Sequence, residues 1–427
     1  MLIVAVFAAA LFAYALLSRS FDLRSVTPQI VCLVAGLVTG WLATEVHLSQ
    51  ASSEDLRLIG EIALVLCLFT DAARIDIRSL RGSAGVPARL LLIGLPLTIL
   101  LGVLVALVML PALGLTAAFL LAVLLAPTDA GLGQAIVTDR SIPVRIRQAI
   151  NVESGLNDGM VTPLVLFAVA IEEAEITGTE GDGGWIRFAV SEIGLGILVG
   201  LVLGLVGARL VRWAVATNRL SESSAWAVAP AIAILAWTLT PLIGGNAFIA
   251  AFVAGMAATA AGGRLPSVFT HFGETAGELA GLAVFFLFGA LVPQISGYSL
   301  PILVYALLSL TVLRMLPVAL ALRGTGLSGQ TVAFIGWFGP RGLASIVLAL
   351  LALGDGRHPT LQPSVAAAVA TTVLLSVVAH GLSARPLLSR YARSATALPA
   401  TAPEFEDAPE FATRREAIGD PSSGRSG

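Results

Sequence analysis

The stretch GLNDGMVTPLVLFAVA, residues 155–170, decides the fold. Most of its side chains are apolar, as in a membrane-spanning helix, but Asn157 and Asp158 lie inside it. A charged group at membrane depth costs at least about 2.5 kcal/mol on insertion scales, and such residues normally face the interior of a helix bundle or an aqueous cavity. Asp158 is therefore a candidate functional residue, provided that the stretch crosses a membrane.

The composition of the chain is that of a polytopic membrane protein. Of its 427 residues, 57% are hydrophobic and 12% are charged, and the mean hydropathy is +0.91. Soluble domains, in contrast, carry about 25% charged residues. The formal net charge of -2 comes without a basic domain that would recognise nucleic acid. The sequence thus predicts an all-α polytopic protein surrounded by membrane lipid.

Thirteen apolar segments of the chain have the length that a bilayer of about 30 Å requires. Numbered in chain order, they cover residues 2–18, 27–44, 55–73, 87–110, 114–138, 145–171, 186–212, 224–240, 243–261, 271–292, 298–320, 329–353 and 362–389. An odd number of spans places the two termini on opposite sides of the membrane.

The loops between these segments differ strongly in arginine content. If the N-terminus lies outside, the outward loops hold three arginines, which are Arg57, Arg187 and Arg357. The inward loops then hold fourteen, which are Arg19, Arg24, Arg74, Arg78, Arg81, Arg89, Arg140, Arg145, Arg147, Arg209, Arg212, Arg219, Arg264 and Arg323. Because cytoplasmic loops are enriched in positive charge, we expect a plasma (inner) membrane protein with its N-terminus outside and its C-terminus in the cytoplasm.

The chain divides into a transmembrane domain, residues 1–390, and a tail, residues 391–427. The tail is rich in Pro, Ala, Ser and Glu. Such a composition cannot bury enough apolar surface to fold alone. We expect a disordered cytoplasmic extension.

Segment 6 carries a polar face at its centre. Ser154 and Asp158 are four residues apart and share one side of a helix, as do Glu153 and Asn157. The segment therefore offers a cluster of oxygen ligands, which are the ligands that hard cations prefer.

Segment 5 contains a break near its centre, in the stretch LLAPTDAGLG. Pro127 removes a backbone donor immediately before Thr128 and Asp129. Interrupted helices near the bilayer centre mark ion or substrate sites in transporters. The alternative for this break alone is a packing kink, with Asp129 paired to an arginine for structure.

Segment 12 repeats this pattern in the stretch GWFGPRGLASIVLA, where glycines and a proline surround Arg341. A guanidinium is effectively always protonated, so Arg341 is a fixed charge, and Arg314 in segment 11 is a second one with a supporting role. Segments 1–6 and 8–13 form two six-helix repeats that begin on opposite sides of the membrane. The repeats are therefore inverted, and segments 5 and 12 are expected to be equivalent, crossed and unwound helices.

Four motifs together resemble the monovalent cation:proton antiporter superfamily, and within it the NhaP-type sodium/proton exchangers. They are LLAPTDAGLG, INVESGLNDGMVTPLVL, GWFGPRGLASIVLA and SVVAHGLSARPL. The resemblance covers about residues 1–390, and its most specific part is the Asn-Asp pair of segment 6.

The resemblance implies roles for the polar residues of segments 5 and 6. Asp158 would bind the cation or the proton, and Thr128 would supply a hydroxyl ligand beside the carboxylate of Asp129. Ser154 and Glu153 match positions that coordinate the ion or line its site. The expected ligands of the monovalent cation are Asp158, Thr128 and Ser154.

The resemblance also implies supporting positions at Asn157 and Arg341, with the arginine paired to an acidic group on the third helix. Asp71 is the candidate for that acid. Two departures affect this assignment and the selectivity: Ala130 stands where the family usually has proline after Thr-Asp, and the third segment reads FTDAARID instead of a glycine-rich stretch with glutamate.

The function implied is secondary active exchange of Na+, with Li+ as a second cation, for protons, and neither a cofactor nor an enzymatic activity is expected. Relatives that carry two adjacent aspartates and a lysine are associated with electrogenic exchange, whereas here the residue before Asp158 is neutral Asn157 and the chain contains no lysine. If Asp158 alone titrates, the resemblance therefore implies electroneutral 1:1 exchange. The resemblance implies an elevator motion, in which a transport core of segments 4–6 and 11–13 slides against a dimerisation scaffold of segments 1–3 and 7–10 in a homodimer.

Other functions remain open at this stage. A potassium/proton antiporter of the same superfamily would share the fold and the site. A channel is disfavoured because interrupted helices around a titratable group suit alternating access. An intramembrane hydrolase would use Ser154, but no histidine accompanies that serine in a known catalytic pattern.

Overall fold

The computed structural model of the protein describes residues 2–23, 26–45, 53–74, 85–177, 184–262, 267–353 and 362–408. Within these ranges the regular secondary structure is helical throughout, which confirms the predicted all-α class. Eight helical stretches are long and apolar enough to cross a membrane, and four shorter apolar helices accompany them in the described part of the chain. The molecule is therefore a multi-pass membrane protein.

The helices fall into two halves along the chain. The first half contains α1 (Leu2–Leu23), α2 (Pro28–Glu45), α3 (Ser53–Arg74), α4 (Gly85–Arg89), a π-helical turn (Leu90–Gly94), α5 (Leu95–Met109), α6 (Gly114–Leu124), α7 (Gln134–Val137) and α8 (Val144–Thr177). The second half contains α9 (Gly184–Ala216), α10 (Val228–Leu239), α11 (Ala247–Gly262), α12 (Ser267–Leu291), α13 (Leu300–Leu310), α14 (Val312–Ala321), α15 (Gly329–Trp337), α16 (Leu343–Leu353) and α17 (Gln362–Ala395).

Each of the thirteen predicted segments contains helix in this structure. Segments 5 and 12 are both interrupted, as α6 with α7 and as α15 with α16, and segment 11 is divided at Thr311 between α13 and α14. The exact number of membrane crossings and the inverted relation of the repeats stay predictions.

The helices pack in two sets. In one set α12 lies against α2 and α3, while α11 lies against α3 and α9. In the other set α6 packs on α5 and α8, and α17 packs on α13, α15 and α16. Contacts of α3 with α16 and of α8 with α9 join the two sets, and the division into scaffold and transport core stays a prediction.

Small residues allow the closest helix contact in the first set. Gly196, Gly200 and Gly204 recur every fourth residue along α9 and face α11. A Cβ on Gly200 would lie 2.6 Å from the carbonyl oxygen of Ala250, so a larger side chain would push the two backbones apart. Such small-residue stripes are typical of helix pairs in membranes, where the hydrophobic effect between helices is weak.

The predicted start of the disordered tail, residue 391, is wrong. Helix α17 continues to Ala395, and the following residues 396–408, which we call the C-terminal strap, fold back onto the ends of α8 and α15. The strap is held by specific contacts of Glu404 and Glu406, so it needs no apolar core of its own. Residues 409–427, the rest of the predicted tail, lie outside the described residues.

Candidate functional site

The break in segment 5 follows directly from its sequence. Helix α6 ends at Leu124, and irregular backbone continues until α7 begins at Gln134. Pro127 lacks an N–H and disfavours the helical conformation of the residue before it, so the helix ends shortly before the proline. The break holds Thr128 fully buried and Asp129 partly buried inside the protein.

The break in segment 12 faces the first one. Helix α15 ends at Trp337 and α16 begins at Leu343, with Arg341 fully buried between them. Gly342 is required here because a Cβ at this position would overlap the carboxylate of Asp129. The two interruptions therefore cross in direct contact, as the sequence predicts.

The carboxylate of Asp129 joins the two breaks through the backbone. Its Oδ2 accepts the N–H of Leu343 at 2.8 Å, at the first residue of α16, and its Oδ1 accepts the N–H groups of Gly131 at 2.7 Å and Leu132 at 3.3 Å. Its own N–H donates to the carbonyl of Pro340 at 2.7 Å. A carboxylate at a helix N-terminus satisfies unpaired N–H groups and offsets the positive end of the helix dipole.

Arg341 performs the complementary task at the end of α6. Its Nη1 donates to the carbonyl oxygens of Ala126 and, at 3.0 Å, of Pro127, which have no helical partner. Its backbone N–H donates to the Ser376 hydroxyl of α17 at 2.6 Å. The guanidinium thus places positive charge at the negative end of an interrupted helix.

The expected pairing of Arg341 with Asp71 is wrong. Asp71 lies in the last turn of α3 and pairs with Arg74, three residues further on, at 3.2 Å. Arg74 also binds Glu274 of α12 at 2.7 Å. The local pair forms because residues three apart on a helix are neighbours, whereas Arg341 is occupied by the carbonyl groups of the break.

Helix α8 brings its polar face to the crossing. The hydroxyls of Thr128 and Ser154 are 3.0 Å apart, and the amide Nδ2 of Asn157 donates to Thr128 Oγ1 at 2.6 Å. The carbonyl oxygen of Asn157 is buried and has no hydrogen-bond partner in the described part of the chain. Asp158, the next residue, is half-buried. The crossing therefore brings together polar side chains of Thr128, Ser154 and Asn157.

Glu153 enters the same region as half of an ion pair. Its two carboxylate oxygens each accept one guanidinium nitrogen of Arg314, both at 2.7 Å, and neither side chain is more than 2% exposed. The supporting role expected of Arg314 stays a prediction. The expected role of Glu153 as an ion ligand stays a prediction, because the structure shows its carboxylate paired with an arginine.

Sequence reasoning did not single out Glu278, which lies on α12 opposite the crossing. It lines a cavity together with Asp129, Gln134 and Gln29. The signal was available, since Glu278 is a carboxylate within segment 10, residues 271–292, and the rule that singled out Asp158 applies to it equally.

These features define a class: multi-pass membrane proteins with two crossed, interrupted helices and a polar site at the crossing. Residues 6–390 match the sequence profile of the family described as "Sodium/hydrogen exchanger, transmembrane". The chain belongs to this family, and its match covers nearly the whole described structure.

Named relatives are consistent with this membership. The chain is 27% identical over 264 residues to the Na+/H+ antiporter of Saccharomyces cerevisiae, covering 58% of this chain and 27% of that protein. It is 29% identical over 370 residues to the K+/H+ antiporter NhaP of Alkalimonas amylolytica, covering 83% of this chain and 61% of the relative. The chain thus spans less than two thirds of the length of both relatives.

A solved structure shares the fold. The sodium proton antiporter MjNhaP1 from Methanocaldococcus jannaschii, determined at pH 8, superposes with a TM-score of 0.72. The superposition covers 92% of this chain and 99% of the other, at 20% sequence identity. The crossed, interrupted helices therefore occur within a fold that a known antiporter has.

Proposed function

We propose that the protein exchanges monovalent cations for protons across the membrane and that Asp158 carries either ion. The observation that carries this proposal is the meeting of the Thr128 and Ser154 hydroxyls at the crossing, one helical turn from Asp158. Asn157 fixes Thr128 and presents a buried carbonyl oxygen that has no partner among the described residues. Hydroxyl, carbonyl and carboxylate oxygens are suitable ligands for a hard cation.

Competition between the two ions couples their transport. Burial disfavours a charged carboxylate, so Asp158 is stabilised either by a proton or by a bound cation, and each ion displaces the other. Moving an uncompensated carboxylate through apolar surroundings costs on the order of several kcal/mol. The empty, charged site is therefore the form that does not cross, and the two fluxes are linked.

The charges at the crossing favour electroneutral exchange. Glu153 and Asp129 carry two negative charges, while Arg314 and Arg341 carry two positive charges, and all four are engaged in the contacts described above. We propose that Asp158 alone titrates during transport, so that it carries one proton or one monovalent cation at a time. We therefore propose a stoichiometry of one proton for one cation.

An elevator motion is supported by the position of this site at the boundary of the two helix sets. Gly159, next to Asp158, lies against the ring of Phe252 on α11, so α8 meets the first set closely at this point. We propose that α4–α8 and α13–α17 move together against the remaining helices, which form the interface of a homodimer. The N-terminus would lie outside and the C-terminus in the cytoplasm of the plasma membrane.

Sodium is the proposed cation, with lithium as a second substrate. The antiporter from Saccharomyces cerevisiae is named for Na+, and the one from Alkalimonas amylolytica for K+. The K+ named for the second relative makes potassium the alternative cation. The ligands at the crossing are oxygens in either case, so cation selectivity depends on cavity size and ligand number.

The test is a pH-dequenching assay in proteoliposomes with an imposed proton gradient and added Na+, K+, Li+ or choline. We expect wild-type protein to dissipate the gradient with Na+ and Li+, but not with choline. The Asp158→Asn variant should lose cation-dependent proton flux by at least about a hundredfold while it keeps its elution volume and its thermal midpoint, because it removes the charge that both ions need.

Two outcomes would contradict the proposal. Full activity of Asp158→Asn would remove this residue from the exchange. In the same vesicles, a potential set with valinomycin should not change wild-type flux, and a clear dependence on that potential would contradict the 1:1 stoichiometry.

A further inference from the structure

A small cavity lies between scaffold helix α12 and the crossed breaks of the second helix set. Its volume is about 20 Å³, and its polar lining consists of Glu278, Gln134, Gln29 and Asp129. A cavity of this size holds about one water molecule, and an alkali cation is of comparable size. The cavity is separate from the hydroxyl cluster of Thr128 and Ser154, neither of which lines it.

Glu278 is the charged group of this cavity. It lies seven residues after His271, where the candidate membrane span of α12 begins, and therefore about 10 Å along the helix axis. This depth is about a third of the hydrocarbon core. Among the residues that the structure describes, no ion pair or hydrogen bond involves its carboxylate, while Glu274, one turn earlier, is paired with Arg74.

The adjacent carboxylate of Asp129 does not have the same function. Its two oxygens accept three backbone N–H groups, one of them at the start of α16. These donors and the helix dipole compensate its charge. Glu278 is thus the acid of this cavity whose carboxylate has no protein partner among the described residues.

Gln134 independently indicates a ligand in the cavity. Its side chain is 8% exposed, and its Nε2 is buried without a hydrogen-bond partner in the described part of the chain. A buried polar atom without a partner is costly, and such atoms are commonly satisfied by a water or an ion that occupies the adjacent space. The amide nitrogen donates and does not bind a cation, so the unpartnered Nε2 indicates an acceptor such as a water molecule, while the amide oxygen of Gln134 is the atom that can bind the cation.

We propose that this cavity is a second, weaker binding site for a monovalent cation on its way to the crossing, with Glu278 as its charged ligand and Gln134 and Gln29 as neutral ones. The inference rests on the proposed cation/proton exchange. A single carboxylate and two amides favour a monovalent cation, since divalent magnesium dehydrates reluctantly and requires octahedral geometry. The site raises the local cation concentration next to Asp129 and the break.

The test compares the concentration dependence of exchange in Glu278→Gln and wild-type proteoliposomes, with Na+ and K+ as probes. We expect the apparent KM for the cation to rise about tenfold, the lower end of the effect of a charged cleft on local ion concentration, while the rate at saturating cation stays within about twofold of wild type. Glu278→Asp keeps the charge and should recover most of the lost affinity.

The matched control is Glu192→Gln, which removes the same charge from α9, outside the cavity. Its KM should equal that of wild type. An unchanged KM in Glu278→Gln would overturn the inference, and so would a fall in maximal rate at constant KM, which indicates a structural role.

A binding measurement separates this inference from the proposed exchange. In purified Asp158→Asn protein, which lacks the central carboxylate, added Na+ or K+ should still raise the thermal midpoint, because a ligand that binds the folded state stabilises it. The double variant Asp158→Asn/Glu278→Gln should show no rise in thermal midpoint when the cation is added. This result would support the cavity site even if wild-type vesicles showed no exchange, whereas stabilisation that survives Glu278→Gln would overturn it.

Discussion

Glu153 and Arg314 illustrate how a single pair of residues supports the site. Their bidentate contact is almost completely removed from solvent. The attraction within such a pair roughly offsets the loss of hydration, but removal of one partner leaves an uncompensated buried charge and costs about 3–5 kcal/mol. The pair therefore fixes α14 to α8 at the level of Ser154, which follows Glu153 in the chain.

We expect Glu153→Gln to lower the thermal midpoint by several degrees and to reduce the yield of folded protein, because it leaves Arg314 charged and buried. Thermal unfolding in detergent measures the loss. The double variant Glu153→Gln/Arg314→Met removes both charges and should recover more than half of the loss. A double variant as unstable as the single one would contradict a role in charge balance.

The sequence predicts which residues are important at this scale, but not all of their partners. Asp158, Asn157 and Ser154 could be selected because polar residues within an apolar segment are costly and usually functional. In the structure, Asn157 and Ser154 contact Thr128. The pairing of Arg341 could not be predicted, because its partners are backbone carbonyl groups. Every residue carries a carbonyl, so composition gives no signal for such a contact.

At the scale of elements, the two interrupted helices compensate each other's ends. Asp129 of the first break binds the start of α16, and Arg341 of the second binds the end of α6. Pro127 and the glycines around Arg341 predict that the helices are broken, but the exchange of charges between them depends on the crossing itself. Glu278 was overlooked although the rule that selected Asp158, a carboxylate within an apolar segment, applies to it equally.

Gly342 determines how closely these two breaks approach. We expect Gly342→Ala to force Asp129 away from the Leu343 N–H, because the added Cβ would overlap its carboxylate. Overpacking of this kind costs about 1–3 kcal/mol, and displacement of the site by about 1 Å lowers activity by up to about a hundredfold. The rate of exchange in proteoliposomes should therefore fall at least about tenfold.

Gly329→Ala is the matched control in the same interrupted segment. No heavy atom lies within 4 Å of a Cβ at Gly329, the first residue of α15. This substitution should leave exchange unchanged and stabilise the protein slightly. Equal rates for Gly342→Ala and Gly329→Ala would contradict the requirement for glycine at the crossing.

At the scale of the whole molecule, the division of the segments into transport core and scaffold stays a prediction from the resemblance, and the end of the folded chain could not be predicted. The composition after residue 390 predicts disorder, yet the C-terminal strap contributes Glu404, which is 1% exposed. Its Oε1 accepts the N–H of Ser328 and the hydroxyl of Thr331, both at 2.8 Å. A few specific contacts to an existing fold are sufficient to order a short segment that has no core of its own.

The strap connects distant parts of the second helix set. Arg145, near the start of α8, donates to the carbonyl of Pro403 and pairs with Glu406 at 2.8 Å. Glu404 at the same time binds the start of α15. The strap thus links the helix that carries Asp158 to half of the second interrupted helix, and it stabilises their ends on one side of the molecule.

The strap should contribute stability that depends on pH. Burial by itself raises the pKa of Glu404, but the hydrogen bonds from Ser328 and Thr331 outweigh it and lower the pKa below its ordinary value. A carboxylate with a lowered folded-state pKa stabilises the protein at pH values above its unfolded-state pKa of about 4.3. This stabilisation is lost as the pH falls through the folded-state pKa.

We therefore expect Glu404→Ala to lower the thermal midpoint by a few degrees at pH 7, since an acceptor of two hydrogen bonds is worth about 1–3 kcal/mol. The difference from wild type should shrink below about pH 4. Thermal unfolding in detergent at a series of pH values measures this, with Asp407→Ala, an exposed neighbour in the strap, as the control that should match wild type. A Glu404→Ala variant as stable as this control at pH 7 would show that the strap does not hold the helix ends together.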